Sequence, residues 1–308
     1  MILVLHFSVP YQLRFIDLLN ICNFINAVRR TIYYMKWFYL YNKCFRGSEL
    51  TNTNILTMST VTYIPGFSKG FLLAHNRDER IDRPMATPPL SRMINGNTVM
   101  YPVDPEGKGT WIGISSDGKV ASLLNGGTIK HERTPPYKHS RGLVIPAYFS
   151  YPDVVEFSGK YDFSGLEPFT LIAIESEKIF ILIWENETLT LREKNSRLPH
   201  IFFSRSLYPV SSLESRSSNF LSWYMNHRSA GENDMLNYNL TQKFESDQIA
   251  KFDTGSHILK TVSVSVIGWD KNMTRFLYYD TLNDLRLSNS VSIKNSVSER
   301  SGNQGLLV

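Results

Sequence analysis

Alternating hydrophobic and polar positions first become regular near residue 60, where they predict a β-hairpin. β-formers predict strands over Thr60–Ile64 and Phe71–His75, joined by a turn rich in Gly and Pro. If the turn centres near Phe67, antiparallel pairing sets Ser59 opposite roughly His75. The residues after His75 are polar, so a strand start and a polar cluster are expected to share one end of the sheet.

A second hairpin is predicted where two apolar runs flank a strong turn signal. The runs are Thr110–Ile114 and Lys119–Leu124, and the turn is 115–118, which reads Ser-Ser-Asp-Gly. Pairing about its centre places 125–127 (Asn-Gly-Gly) opposite 107–109 (Gly-Lys-Gly). Glycines at such a strand end permit close approach of the backbone to a ligand.

Later patterns extend this picture to an α+β domain spanning 58–285. They predict a helix over Arg141–Phe149, a hairpin of Phe169–Glu175 and Ile179–Trp184, a strand over His200–Phe203, a helix over Leu213–Asn226, and a strand pair of Leu259–Trp269 and Arg275–Tyr279. Successive hairpins with few helices indicate antiparallel sheets covered by helices. The Ser- and Asn-rich tail, 286–308, is expected to be mobile.

Composition changes sharply before residue 58. The first 57 residues hold 33 apolar residues, both cysteines and four of the five net positive charges. The remainder is nearly neutral, which gives no electrostatic case for nucleic-acid binding. Two cysteines exclude a disulfide scaffold and a four-cysteine zinc site. The histidines lack metal-ligand spacing, so we expect neither a metal nor another cofactor.

The apolar, basic extension 1–57 has no single explanation. Its longest uncharged window, Leu18–Val28, is short for a membrane span and is interrupted by asparagines. It also lacks the order of regions typical of a secretory signal. A misassigned start codon, a membrane-surface or targeting segment, and a structural element packed on the domain all stay open. We expect a cytoplasmic protein with membrane contact only through 1–57.

Several short motifs from residue 58 onward carry a family resemblance. They are Met58–Thr62, Ala74–Arg80, Arg83-Pro84, Gly109–Gly113, Leu124–Gly127, Tyr137–Gly142, Pro168–Ile172 and Leu259–Ser263. Together they resemble the NRDE family, also called the transport and Golgi organisation protein 2 (TANGO2-like) family. The resemblance covers about 58–280. Residues 1–57 match nothing in the family, which favours Met58 as the natural start.

The family is in turn similar to N-terminal nucleophile (Ntn) hydrolases of the choloylglycine and penicillin acylase branch. That resemblance implies a four-layer αββα sandwich of antiparallel sheets flanked by helices. It also implies a nucleophile, usually a cysteine, that becomes the first residue when Met is removed. Ser59 occupies that position here.

The same resemblance assigns further candidate roles. It implies a catalytic aspartate at Asp78, an oxyanion-binding asparagine at Asn125, and Arg77 as the nearest match to an arginine of that branch. Candidate substrate contacts beside these are His75, Asn76, Trp111 and Gly126. A later asparagine of the branch falls near 204–206, which holds none. That departure removes part of the expected oxyanion or substrate contact.

An N-terminal nucleophile uses its own α-amine as the general base. The amine's pKa of ~7.7–8.0 leaves a useful neutral fraction at pH 7. Serine lacks the thiolate route open to cysteine and depends more heavily on that amine. A chain that carries 1–57 has an amide at Ser59, so the hypothesis requires cleavage at Met58–Ser59 or initiation at Met58 with Met removal.

Two classes of function stay open. One is an Ntn-type amidohydrolase or acyltransferase on an unidentified small amide or acyl substrate. The other is a non-catalytic binding or trafficking protein on the same fold, linked to Golgi organisation, secretory transport, or lipid or haem handling. Structural roles are open as well: a strand-edge residue for Ser59, an ion pair with Arg77 or Arg80 for Asp78, a turn for Asn125-Gly126, core packing for Trp111, and a core or surface position for His75.

Overall fold

A computed structural model describes residues 59–129, 131–204, 210–241 and 259–294. The predicted extension 1–57 and the last part of the predicted tail lie outside the described residues. In chain order the elements are β1 (Thr60–Pro65), β2 (Phe71–Arg80), β3 (Thr87–Ile94), β4 (Asn97–Val103), β5 (Ile112–Ser115), β6 (Val120–Asn125), α1 (Val144–Phe149), α2 (Val154–Lys160), β7 (Phe169–Glu175), β8 (Lys178–Glu185), β9 (Thr188–Lys194), β10 (His200–Phe203), α3 (Val210–Asn226), α4 (Glu232–Thr241), β11 (Leu259–Trp269), β12 (Met273–Asp280) and β13 (Leu285–Ser292).

The strands form two sheets with antiparallel pairing throughout. Sheet A has the order β10-β1-β2-β11-β12-β13, and sheet B has the order β3-β4-β5-β6-β7-β8-β9. Sheet B is a simple meander of consecutive strands. In sheet A, β1 and β2 pair with strands from the end of the chain, so the first hairpin lies at the centre of the sheet.

Three apolar clusters define four layers. The first joins the sheets to each other, for example Val61 of sheet A with Leu124 of sheet B. The second packs α1 and α2 on sheet B, and the third packs α3 and α4 on sheet A. The order is therefore helices, sheet B, sheet A, helices, which confirms the expected αββα sandwich.

The central strand β2 is buried on both faces, and this decides where its polar end points. Phe71 and Leu73 face sheet B, whereas Leu72 and Ala74 face the helices. Because side chains alternate along a strand, the next residues continue the same alternation. Odd-numbered side chains of β2 enter the space between the sheets, and even-numbered ones lie on the helix-facing side of sheet A.

The expectation of a mobile tail from residue 286 is wrong for its first part. Residues 285–292 form β13, which pairs with β12 along its length. Only Val291 of this edge strand is buried, so its sequence has no apolar alternation to reveal it. No helix in the four described ranges is long and apolar enough to cross a membrane.

Candidate active site

Ser59 lies immediately before β1 and is buried. Its Oγ is 3.5 Å from the backbone nitrogen of Asp78, which donates to it. Its carbonyl oxygen accepts a hydrogen bond from the backbone nitrogen of Ser204 at 3.3 Å. The start of β1 is thus held between the ends of β2 and β10, and the hydroxyl is at the end of sheet A.

The predicted pairing of Ser59 with His75 is wrong by two residues. Thr60 pairs with Asn76, so Ser59 is opposite Arg77. The turn contains a short 3₁₀ helix at Phe67–Lys69, and it centres on residue 68. This shift brings Ser59 beside Arg77 and Asp78.

The carboxylate of Asp78 is buried and only partly hydrogen-bonded. Its Oδ1 accepts from Thr261 Oγ1 at 2.5 Å, and its Oδ2 has no hydrogen-bond partner. Burial raises the pKa of Asp78 to about 7, although the hydrogen bond from Thr261 and the positive charge of Arg216 lower it. The carboxyl therefore changes its charge near neutral pH.

Arg77 does not form the ion pair with Asp78 that was the structural alternative. Its guanidinium enters the space between the sheets, stacks over Trp111 with 4.5 Å to the ring centroid, and pairs with Asp104. Trp111 is itself part of the inter-sheet core. The guanidinium of Arg77 therefore links the two sheets, and Trp111 packs against it.

Asp104, which sequence reasoning missed, organises the loop after β4. Its carboxylate accepts from Arg77, from Arg83 Nε and Nη2 at 2.8 and 2.9 Å, and from the nitrogens of Glu106 and Gly107 at 3.0 and 2.7 Å. Burial alone raises the pKa of Asp104, but the hydrogen bonds from Arg83 and Gly107 lower it below its usual value. An aspartate just before a glycine-rich turn was the available sequence signal.

Asn125 ends β6 and is half-buried. Gly126 follows at a φ of 78°, a conformation that favours glycine, and its nitrogen donates to the carbonyl of Pro168 at 2.9 Å. Glu185, also missed, accepts from the backbone nitrogens of 128–129 at 2.7 and 3.0 Å. A carboxylate thus fixes the loop that follows the predicted oxyanion residue.

The polar ends of the two hairpins lie at one end of the sandwich. The stack of Arg77 on Trp111 joins the Ser59 end of sheet A to the start of β5. Ile112 pairs with Ser122, and the backbone nitrogen of Leu123 donates to the carbonyl of Trp111 at 2.9 Å, so the end of β6 that carries Asn125 lies beside the start of β5. Ser59, Arg77, Asp78 and Asn125 are therefore at one end of the molecule, and their catalytic roles stay predictions.

His75 and Asn76, two candidate substrate contacts, are both inside the packing. His75 is fully buried, and its Nδ1 is 2.7 Å from Ser122 Oγ on the other sheet. Burial and, to a lesser extent, the charge of Arg77 lower the pKa of His75 to about 3, so the ring is neutral. Asn76 donates from Nδ2 to the carbonyl of Asn239 on α4 at 3.0 Å. These contacts favour structural roles.

A family profile described as "Transport and Golgi organisation 2" matches residues 56–281. The chain belongs to this family. The match confirms the resemblance seen in the NRDE motifs and covers every site residue described above. A search of the curated proteins gives no match.

Solved structures similar to this transport and Golgi organisation 2 chain include two variants of the conjugated bile acid hydrolase from Clostridium perfringens. Each is 11% identical, covers 77% of this chain and 97% of its own, and has a TM-score of 0.46 or 0.47. The Caenorhabditis elegans N-acylethanolamine-hydrolyzing acid amidase ortholog is 11% identical, covers 67% and 92%, and has a TM-score of 0.35. The four layers assigned above rest on the packing of this chain itself.

Proposed function

We propose that this family member is an Ntn-type amidohydrolase or acyltransferase for a small amide or acyl substrate, with Ser59 as the nucleophile. The observation that carries the proposal is the buried Asp78 carboxylate beside Ser59, whose Oδ2 has no hydrogen-bond donor. A buried acceptor without a partner costs ~1–3 kcal/mol, and more when it is charged. An α-ammonium on Ser59 would supply both the donor and the opposite charge.

The chemistry then needs only groups of this chain and water. The neutral amine of Ser59 takes the Oγ proton while Oγ bonds to the substrate carbonyl carbon, and the carbonyl oxygen becomes an oxyanion. Collapse expels the amine of the substrate, which takes the proton from the ammonium. Water attacks the resulting ester in the same way, releases the acid and restores Ser59 Oγ. The side-chain amide of Asn125 is the proposed oxyanion donor, an interaction worth ~3–4 kcal/mol elsewhere.

The test compares three forms of one protein: a chain that begins at Ser59, the same chain extended at its N-terminus, and the first chain with Ser59→Ala. Intact mass confirms each start, and mass spectrometry follows the hydrolysis of a panel of small amides. We expect turnover only in the first form, because only that form has a free amine on the nucleophile. Equal turnover by the Ser59→Ala chain would contradict the proposal.

A binding or trafficking role is the second candidate, and the structural contacts of Arg77 favour it. The arginine predicted to be catalytic is held by Asp104 and Trp111, and serine replaces the usual cysteine. The variant Ser59→Cys separates the two roles, since a thiol is the stronger nucleophile. A folded Ser59→Cys chain with a free N-terminus that hydrolyses no amide would favour binding, whereas a gain in turnover would favour the enzyme.

A further inference from the structure

The described strands of the two sheets leave four outer edges, and three of these edges carry features that oppose pairing with another strand. The edge strand β3 contains Pro88 and Pro89 and has a break in register between Thr87 and Leu90. The edge strand β9 ends in the charged run 192–194, and β10 has only 4 residues. Prolines, bulges, charges and short length are the usual protections of a sheet edge.

The fourth edge strand, β13, has none of these protections. It has 8 residues, reads Leu-Arg-Leu-Ser-Asn-Ser-Val-Ser, and pairs with β12 without a shift in register. Its one charged side chain, Arg286, is turned over α4, where it donates to Asn233 Oδ1. The residues that follow on the same face, Ser288, Ser290 and Ser292, are small and exposed. The outer edge of β13 is therefore open to another strand within the part of the chain that the structure describes.

Two backbone hydrogen bonds show which groups of β13 point outwards. The nitrogen of Ile293, just after the strand, donates to the carbonyl of Asn272 at 2.9 Å, so the odd-numbered residues face β12. The nitrogen of Lys294 points the other way and donates to the carbonyl of Ser116 at 2.7 Å. Because backbone groups alternate along a strand of an antiparallel ladder, the N–H and C=O groups of 286, 288, 290 and 292 point away from β12.

The sequence of β13 is complementary to itself when two copies run antiparallel. If Asn289 lies opposite Asn289 of a second copy, the outward-pointing residues oppose one another, and each such pair can exchange two hydrogen bonds. The same register sets Leu287 opposite Val291, and Leu285 opposite Ile293. These are apolar pairs, and cross-strand pairs of this kind stabilise antiparallel sheets.

The charges near the ends of β13 favour this register over its neighbours. It sets Asp284 opposite Lys294 of the second copy, which carries the opposite charge, and Arg286 opposite Ser292. A shift of the second copy by two residues in one direction sets Arg286 opposite Lys294, a pair of like charges that opposes association. The same shift in the other direction sets Ser292 opposite Asp284, which lies outside the strand.

We propose that β13 is an association site for a second copy of this chain, and that antiparallel pairing of the two β13 strands joins their A sheets into one continuous sheet. The two-fold axis passes beside Asn289, so both copies use the same patch, as is usual in homodimers. An interface made by one strand is small, and we expect a weak dimer that dissociates on dilution. The inference goes beyond the proposed function and does not depend on it.

The first test is sedimentation velocity of the full chain over a range of protein concentrations, with two variants of one outward-pointing residue. Ser288→Pro removes the outward N–H, at an edge position where proline leaves the pairing with β12 intact, whereas Ser288→Ala keeps that N–H. We expect Ser288→Pro to raise the dimer dissociation constant by about tenfold or more, because each copy loses a hydrogen bond to the other. Ser288→Ala is the matched control and should associate like wild type.

Disulfide cross-linking tests the register and does not require the proline variant to fold. Asn289→Cys sets two thiols directly opposite each other at the two-fold axis, within the distance that a disulfide spans. Leu285→Cys, on the same face of the same strand, sets them at opposite ends of the paired strands. With diamide as the oxidant, we expect a covalent dimer from Asn289→Cys and only the wild-type background, set by the two natural cysteines, from Leu285→Cys.

A chain that stays monomeric at every concentration would overturn the inference, and it is the result expected if another segment of the same chain covers β13. A dimer with the same dissociation constant in Ser288→Pro and Ser288→Ala would place the interface elsewhere on the molecule. Equal cross-linking of the two cysteine variants would likewise contradict the pairing of β13 with itself about Asn289.

Discussion

At the residue scale, the burial of Asp78 makes the stability of the fold depend on pH. The carboxyl binds its proton more tightly in the folded chain, because burial raises its pKa from 3.8 to about 7. The stabilisation is therefore fully present below pH ~4 and is lost as the pH rises towards 7, at up to about 1.4 kcal/mol per pH unit. An ammonium beside the carboxylate would lower that pKa and weaken the dependence.

We therefore expect Asp78→Asn, in a chain extended before Ser59, to make the slope of stability against pH between pH 4 and 6.5 more positive than in wild type by up to about 1.4 kcal/mol per pH unit. Urea unfolding of both proteins at several pH values measures the difference. Asp162→Asn, in an exposed turn, is the control and should preserve the wild-type slope. A parallel slope for wild type and Asp78→Asn would show that the carboxyl is not buried in its neutral form.

At the scale of elements, Asp104 holds the loop after β4 against the end of β2. The carboxylate pairs with two arginines, and its side chain and that of Arg77 are 11% and 10% exposed. Loss of Asp104 takes from the buried Arg77 its hydrogen-bonded carboxylate and leaves it Glu79 at 3.7 Å, so the cost should lie at the lower end of the ~3–5 kcal/mol typical of a broken buried pair. The same loop has an exposed ion pair between Glu106 and Arg83, at 3.3 Å.

Asp104→Asn should therefore lower the free energy of unfolding by ~3 kcal/mol or more, whereas Glu106→Gln should change it by less than ~1 kcal/mol. Denaturant unfolding at pH 7 compares the two variants, which each remove one carboxylate from one loop. Equal and small losses would mean that solvent reaches the Arg77–Asp104 pair freely.

Local sequence patterns predicted the hairpins, but they did not predict all of the helices that pack on the sheets or the strands towards the sheet edges. β7 and β8 were predicted because their apolar runs and the turn between them are local signals. The helices α2 and α4 and the strands β3, β4, β9 and β13 were missed. α4 has only a weak apolar stripe, with buried Asn239 among its contacts, and β13 is defined by pairing with β12. Their positions depend on tertiary contacts that local patterning does not report.

The site shows the same division. The family resemblance named Ser59, Asp78 and Asn125 as site candidates, and the first hairpin pattern put Ser59 beside the polar residues that include Asp78, because strand starts and turns are readable from sequence. Thr261 comes from a strand that is distant in sequence and reaches Asp78 only through the β2–β11 pairing. Residues 76–79 point alternately to sheet B and to the helices because β2 is covered on both faces. That covering comes from the four-layer packing and cannot be read from the local sequence.

At the scale of the whole molecule, two buried groups on opposite faces of β2 change the free energy of unfolding with pH in opposite directions. Asp78 faces the helices and has a raised pKa, whereas His75 faces sheet B and has a pKa lowered from 6.5 to about 3. The unfolded chain protonates His75 below pH 6.5 while the folded chain does not. Its contribution to stability is thus present above pH 6.5 and lost as the pH falls towards 3.

The two contributions should nearly cancel between pH 4 and 6.5, since each changes by about 1.4 kcal/mol per pH unit with opposite sign. We expect a flat stability profile for the extended wild-type chain in that window. His75→Gln, which keeps a polar group near Ser122, should make stability fall with rising pH, and Asp78→Asn should make it rise. The free energy of unfolding of the double variant should again be independent of pH in this window, at a value different from that of wild type. Slopes of the same sign in the two single variants would contradict the burial of one of these groups, and with it the four-layer packing that encloses both.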